Sequence, residues 1–309
     1  MKKNQLLSSA LLLAAAIIWG FAFVAQESIA DTIPPFTVNA IRSLIASLAL
    51  IPVAAVTRRM QGKKLLESKP ADRKLLIKAG LICGVMLCVS VNLQQVGIAL
   101  FPEGAPASAH SGFLTALYII FVPLFGLFIG KRPSLFVAIA VILATVGLYF
   151  LCLYEGFGAL YLGDVVVLIC AMAFAVQILC VDRFIDRVDG VKLSAIQFFV
   201  TGILSAILML IFEKPDLSAI LAAWLPLLYL ALLSSGVGYT LQIIGQKYAT
   251  SPTLASILMS MESVFAVIGG VIFLGAVPKA NEWIGCAIML AAIIIAQLPK
   301  DLLKKKTSA

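Results

Sequence analysis

The sequence predicts an all-α integral membrane protein: ten transmembrane helices in two inverted five-helix repeats, with the N- and C-termini cytoplasmic. Three observations carry that prediction. Of 309 residues, 62% are hydrophobic and only 12% charged, about half the charged share of a soluble domain. The apolar residues fall in ten runs joined by mostly short links. Polar signatures of the first five runs also return, in order, in the second five. A soluble core cannot absorb this much apolar side chain, which excludes a globular cytosolic enzyme. At roughly 20 residues per spanning helix it fills on the order of ten spans.

The runs cover 6–26, 34–56, 75–98, 106–129, 133–152, 163–182, 191–212, 220–246, 252–275 and 280–299. The first follows Lys2-Lys3 and contains Ala14-Ala15-Ala16, as a secretory leader would. Its apolar character continues through Trp19, Phe21, Phe23 and Val24, beyond a leader's core, so it reads as a retained span. The longest link, Thr57 to Lys74, is polar and basic. Gly80-x-x-x-Gly84 and Gly126-x-x-x-Gly130 mark close helix contacts.

A net charge of +8 first suggests a nucleic-acid partner, but the placement of the charges gives it another meaning. Taking the N-terminus as cytoplasmic, alternate connections receive nearly all the basic residues. These are Lys2 and Lys3, then Arg58, Arg59, Lys63, Lys64, Lys69, Arg73 and Lys74. Lys131, Arg132, Arg183, Arg187, Lys192, Lys247 and the tail from Lys300 to Lys306 follow. The opposite face receives only Lys214 and Lys279. Such a bias orients the spans and faces anionic lipid. The expected location is the cell membrane (inner or plasma), the partners are the lipid bilayer and a small-molecule substrate, and no nucleic acid is expected.

The internal matches define the repeats. Asn39-Ala40-Ile41-Arg42 aligns with Ser194-Ala195-Ile196-Gln197, and Leu93-Gln94-Gln95-Val96-Gly97 with Leu241-Gln242-Ile243-Ile244-Gly245. The spacing of Ser108, Ser111, Thr115 and Tyr118 returns at Thr253, Ser256, Ser260 and Ser263. Residues 1–152 therefore form the first repeat, and 153–309 the second with its basic tail. Five spans is an odd number, so the second copy enters the membrane from the opposite face. Inverted repeats place a substrate site near the midplane where they meet, and rocking of one against the other gives alternating access.

These residues resemble the EamA-type permeases of the drug/metabolite transporter superfamily, over nearly the whole chain. Trp19-Gly20-Phe21-Ala22-Phe23 resembles the family's first-span motif, and Pro35-Phe36 with Ala40-Ile41-Arg42 its second-span start and arginine. Leu93 to Gly97, Gly112-Phe113-Leu114-Thr115 and Val122-Pro123-Leu124 resemble its third and fourth spans; Met261-Glu262-Ser263-Val264-Phe265-Ala266 resembles its ninth. The resemblance implies transport of a small metabolite, often by efflux. Departures are Ser263 in place of the family's proline, Gly130-Lys131 and Gly275-Ala276 in place of Gly-Glu, and a short insertion at 101–106. No gating role passes to carboxylates that are absent.

Polar residues inside spans are the candidates for a substrate site. Glu262 is the only carboxylate well within a span, where an ionised group costs roughly 2.5–3.5 kcal/mol. It is a proton-coupling or amine-binding candidate, or else a structural partner for a buried donor. Arg42 always carries charge and needs an acceptor: a substrate carboxylate or a helix carbonyl. Together the two could hold a zwitterion such as an amino acid. Trp19, Phe23 and Gln26 share a helix face, as do Asn92 and Gln95, and Tyr239 and Gln242 with Gln246. Asn39 and Gln177 complete the candidate set. For each, interhelical packing or hydrogen bonding is the alternative. The serine and threonine stripes are read as packing surfaces, and His110 as an interfacial polar residue.

The six cysteines lie in apolar runs with no CxxC pair, which points to core packing rather than metal or redox chemistry. No HExxH, GxSxG or P-loop occurs, so neither an enzyme nor a cofactor is expected. The leading expectation is a secondary transporter of an amino acid or related polar or amphipathic metabolite, by alternating access and toward export. Proton coupling, an uncoupled facilitator and a lipid scramblase stay open beside it, as does the oligomeric state.

Overall fold

Backbone amides crossing hydrocarbon find no water, so apolar runs of this length fold as helices that satisfy themselves. The computed structural model describes residues 2–60, 62, 69–102, 107–152, 161–274, 279–296 and 298. The insertion residues Glu103 to Pro106, the pair Gly275-Ala276, Lys63, Lys64 and the tail from Lys300 lie outside the described residues, as do the side chains of Ser108, His110 and Cys152.

Every regular element among the described residues is helical. In chain order they are α1 (Lys2–Glu27), α2 (Pro35–Met60), α3 (Pro70–Ala99), α4 (Ala107–Ala116), α5 (Tyr118–Phe128), α6 (Leu135–Cys152), α7 (Leu162–Phe184) and α8 (Gly190–Phe212). Then come α9 (Leu217–Ala222), α10 (Trp224–Leu228), a π-helical segment (Tyr229–Gly238), α11 (Tyr239–Tyr248), α12 (Pro252–Met259), α13 (Glu262–Leu274) and α14 (Ala280–Ala296). Eight stretches are long and apolar enough to cross a membrane, and Leu135–Phe150 and Trp283–Ala296 are shorter apolar helices.

The burial pattern is the reverse of a soluble protein's. α8 buries Ser194, Gln197, Thr201 and Ser205 along one face, while Phe199, Ile203, Ile207 and Leu210 are exposed. α2 likewise buries Thr37, Asn39, Arg42, Ser43 and Ser47 and exposes Leu48, Ile51 and Val56. Water would not tolerate so many exposed apolar side chains; lipid does. This is a multi-pass membrane protein.

Three of the expected continuous spans are interrupted. The run at 106–129 breaks between α4 and α5, where Leu117 donates its amide to Leu114 O in a tighter turn at 3.2 Å. The run at 252–275 breaks after α12, where the Ser256 and Ser260 hydroxyls each donate to the carbonyl three residues back at 2.8 Å. Serine back-bonding of this kind competes with the helical ladder. The run at 220–246 passes through the π-helical segment, a feature common at functional sites.

α2 packs along α8, α6 along α14, α3 on α7 and α8, and α1 on α11 and α13. Glycines permit the closest crossings. A Cβ on Gly97 would stand 2.5 Å from Val167, and one on Gly245 2.7 Å from Leu12. These are the two glycines that end the matched Leu-Gln segments. Val167 and Leu12 precede α8 and α2 by the same number of residues, so the two crossings, α3 on α7 and α11 on α1, have the same form. Gly20 serves the α1–α13 contact, since a Cβ there would meet Phe265 at 2.5 Å.

Candidate functional site

A narrow cavity of mixed polar and apolar lining lies between α1, α2, α3, α4, α5, α7, the π-helical segment, α11, α12 and α13. Its volume is about 30 Å³. One water needs roughly 10–15 Å³ by that measure. The cavity as it stands therefore has room for a few waters, and a larger guest requires it to widen.

α1 supplies Trp19, Phe23 and Gln26 to this cavity, one helical face as their spacing predicts. The Trp19 indole donates to Ser234 O of the π-helical segment at 3.2 Å, and its ring lies 4.7 Å from that of Tyr239. Gly238 is what lets the indole approach, because a Cβ there would come within 2.7 Å of the indole nitrogen. α2 contributes Arg42, only 3% exposed, whose guanidinium donates to Gln26 Oε1 at 3.4 Å and leaves Nε without a partner. Tyr239 and Gln242 come from α11.

Glu262 opens α13 at the break after α12 and is 4% exposed. Its Oε1 has no hydrogen-bond partner. Tyr118, first residue of α5 at the other break, adjoins the carboxylate without a well-formed hydrogen bond to it. Among the described residues no ion pair joins Arg42 to Glu262. The site thus keeps one fixed cation and one carboxylate apart, each with an unused polar atom. Half-helix starts at such positions are a recurrent way of building transporter sites.

Four sequence candidates do not line the cavity. Asn39 and Asn92 knit α2, α3 and α8 instead: Asn39 Nδ2 donates to Val91 O at 2.9 Å and Asn92 Oδ1 at 3.0 Å, while Asn92 Nδ2 donates to Ser205 at 2.8 Å. Gln95 is fully buried with neither amide atom partnered. Gln177 stands behind Gln242, accepting its amide N–H at 3.2 Å.

The cavity also takes side chains not singled out as substrate contacts: Gln94, Thr115, Tyr118 and Phe174, with Gln94 donating to Thr115 at 3.2 Å. A signal for Gln94 was present, because the repeat alignment pairs it with Gln242 rather than with a neighbour. Phe174 stands as far ahead of α8 as Trp19 does ahead of α2, and Ile178 as Phe23 does. Thr115 and Tyr118 belong to a stripe read as packing. Its ninth-span copy does pack, with Ser263 donating to Gly112 O at 3.0 Å.

A membrane-embedded cavity lined by buried, incompletely partnered charges is the kind of site a membrane transport protein needs. The chain belongs to the EamA-like transporter family, whose pattern matches it twice, over residues 6–153 and 161–297, and so to the drug/metabolite transporter superfamily. It is 27% identical over 288 residues to an uncharacterized transporter of Archaeoglobus fulgidus, covering 92% of this chain and 83% of that protein. It is 25% identical over 280 residues to one from Clostridium kluyveri, covering 88% and 85%. A solved crystal structure shares the fold at a TM-score of 0.76 and 21% identity, over 98% of this chain and 99% of the other. The protein is a membrane transporter.

Proposed function

We propose that this transporter moves a small zwitterionic metabolite of the amino-acid class by alternating access between two inverted five-helix repeats, residues 1–152 and 153–309. The observation that carries the substrate class is the separation of Arg42 from Glu262 within one cavity. Each charge is buried and each retains an unpartnered atom. A buried charge left so is costly, and a guest bearing a carboxylate and an ammonium relieves both costs at once. The Trp19, Phe23 and Phe174 side chains offer an apolar wall for the rest of such a guest.

The matched glycine crossings, and cavity walls drawn from corresponding positions of both halves, support the repeat reading. α6 and α14, at 18 and 17 residues, reach about 26 Å. That is close to the roughly 30 Å hydrocarbon core and supports ten spans in all. The end of the bundle where Arg58, Arg187 and Lys247 gather is assigned to the cytoplasm by the basic bias. Glu262, beside Tyr118, is the candidate proton-coupling carboxylate, and the family resemblance favours export.

The test is a transport screen in proteoliposomes with amino acids, nucleosides, polyamines and organic acids, with and without a pH gradient. Saturable movement of an amino acid supports the reading. Movement only of compounds lacking one of the two charges refutes it.

A further inference from the structure

Arg42 is held by an amide where a carboxylate would bind it more strongly. Its partner among the described residues is Gln26, whose Oε1 accepts from Nη1 at 3.4 Å, and Nε is left without one. Both side chains are 3% exposed, and both line the central cavity. Arginine has only donors to offer, so the amide turns its oxygen to the guanidinium and keeps its NH2 as a further donor. A guanidinium met by a neutral oxygen retains its whole positive charge. One met by a carboxylate does not.

The chain carries a carboxylate one residue away and does not bring it to Arg42. Glu27 ends α1, but consecutive residues stand about 100° apart around a helix, and Glu27 is not among the residues lining the cavity. Trp19, Phe23 and Gln26 share the side that faces it, so the amide and not the acid meets the arginine. Apart from Arg42 and Glu262, every side chain in the cavity wall is uncharged. Glu262 does not pair with Arg42, so no group of the wall neutralises it.

A purely structural anchor for Arg42 would be better built as an acid. A buried cation without an acid partner is costly, and a carboxylate at position 26 would make a shorter, charge-assisted bond than the 3.4 Å contact. The uncompensated charge stays available to an anion brought by the guest. The N–H groups of Arg42 and Gln26 together suit the two oxygens of a carboxylate.

The argument for specificity rests on the substrate site proposed above: we infer that Gln26 is the specificity-determining residue at its anion-binding end. Gln26 positions Arg42 without neutralising it, so the guest must bring a carboxylate of its own.

Calorimetric titration and thermal melts of Gln26→Glu, in the full chain purified in detergent, test this. L-leucine, isocaproate and isoamylamine share a branched apolar skeleton and carry both charges, the carboxylate alone and the ammonium alone. The wild type should favour leucine over isoamylamine by about tenfold or more, the worth of a hydrogen bond to a charged group. Gln26→Glu should reverse that order, because the introduced carboxylate neutralises Arg42 and repels the guest's own. It should also melt above the wild type, since buried Arg42 gains an acid partner. Gln26→Leu removes the contact and leaves the charge, so it should melt lower and keep the wild-type order. Glu27→Gln should change neither property.

Reversal of the order with a raised melting point supports the inference. Equal weakening of all three compounds, an unchanged order, or a Gln26→Glu variant that melts no higher or does not fold overturns it. If none of the three binds the wild type, the melts decide alone. A wild type that prefers isocaproate to leucine refutes the zwitterion reading, whereas loss of isocaproate binding in Gln26→Glu still supports the role of Gln26.

Discussion

Arg42 of α2 and Glu262 of α13 line the same cavity and do not pair with each other. Arg42 instead leans on the neutral Gln26 at 3.4 Å, and Glu262 keeps one oxygen without a partner. Two opposite charges in a low-dielectric setting are strongly attracted. Holding them apart is the work of helices packed around the cavity, and it leaves both charges to a guest.

For a zwitterion bridging that gap, each charge contributes separately. Arg42→Gln and Glu262→Gln should each weaken amino-acid binding roughly 10- to 100-fold, the worth of a hydrogen bond to a charged group. An amino-acid amide, lacking the carboxylate, should lose affinity for the wild type but bind Arg42→Gln unchanged. Calorimetric titration of the purified protein measures all four combinations. Undiminished binding in both Arg42→Ala and Glu262→Ala removes the zwitterion model.

If Glu262 carries the coupled proton, Glu262→Gln should, with substrate raised to offset its weaker binding, retain downhill exchange but lose the response to an imposed pH gradient. Proteoliposomes loaded with a pH-sensitive dye report both fluxes. A Gln variant that still moves protons with substrate eliminates the coupling role.

Gln94 and Gln95 separate a cavity wall from a buried neighbour. Gln94→Leu should lower substrate affinity by several-fold, since its amide faces the cavity beside Thr115. Gln95→Leu should leave affinity alone and raise thermal stability, because it removes a fully buried amide with no partner, a defect costing about 1–3 kcal/mol. Binding and melting curves on the two variants distinguish them, and equal loss of affinity in both contradicts the placement.

Asn92→Ala and the glycine crossings probe packing alone. Asn92→Ala cuts the link from α3 to α8 and should destabilise by about 0.6–1.7 kcal/mol, the range for such bonds in membranes. Gly97→Val and Gly245→Val should each cost about 1–3 kcal/mol through overpacking, and by similar amounts. Gly126→Ala, whose nearest neighbour would be 3.5 Å away, should be tolerated. Thermal melts in detergent compare the four.

Much of the site could be read from the residues. Trp19, Phe23 and Gln26 fall on one helical face whatever surrounds it, and a buried glutamate among apolar residues marks a place where charge is needed. The choice of face in α3 could not be read that way. Asn92 and Gln95 do share a side, but consecutive residues differ by about 100° around a helix, and Gln94 is the one that meets the cavity. The alignment of Gln94 with Gln242 held that information, because those two positions both line the cavity.

By itself, the sequence determined that the chain is helical and built for lipid, and its charge placement and internal matches raised the expectation of a basic cytoplasmic face and two halves. These properties follow from composition and periodicity, which act locally along the chain. Only the tertiary structure decided which polar residues knit helices and which remain unpaired around the cavity. It also decided that the spans at 106–129 and 252–275 break beside Glu262 and Tyr118. Those outcomes depend on which helix face meets which neighbour, and that is settled by packing across residues far apart in the chain.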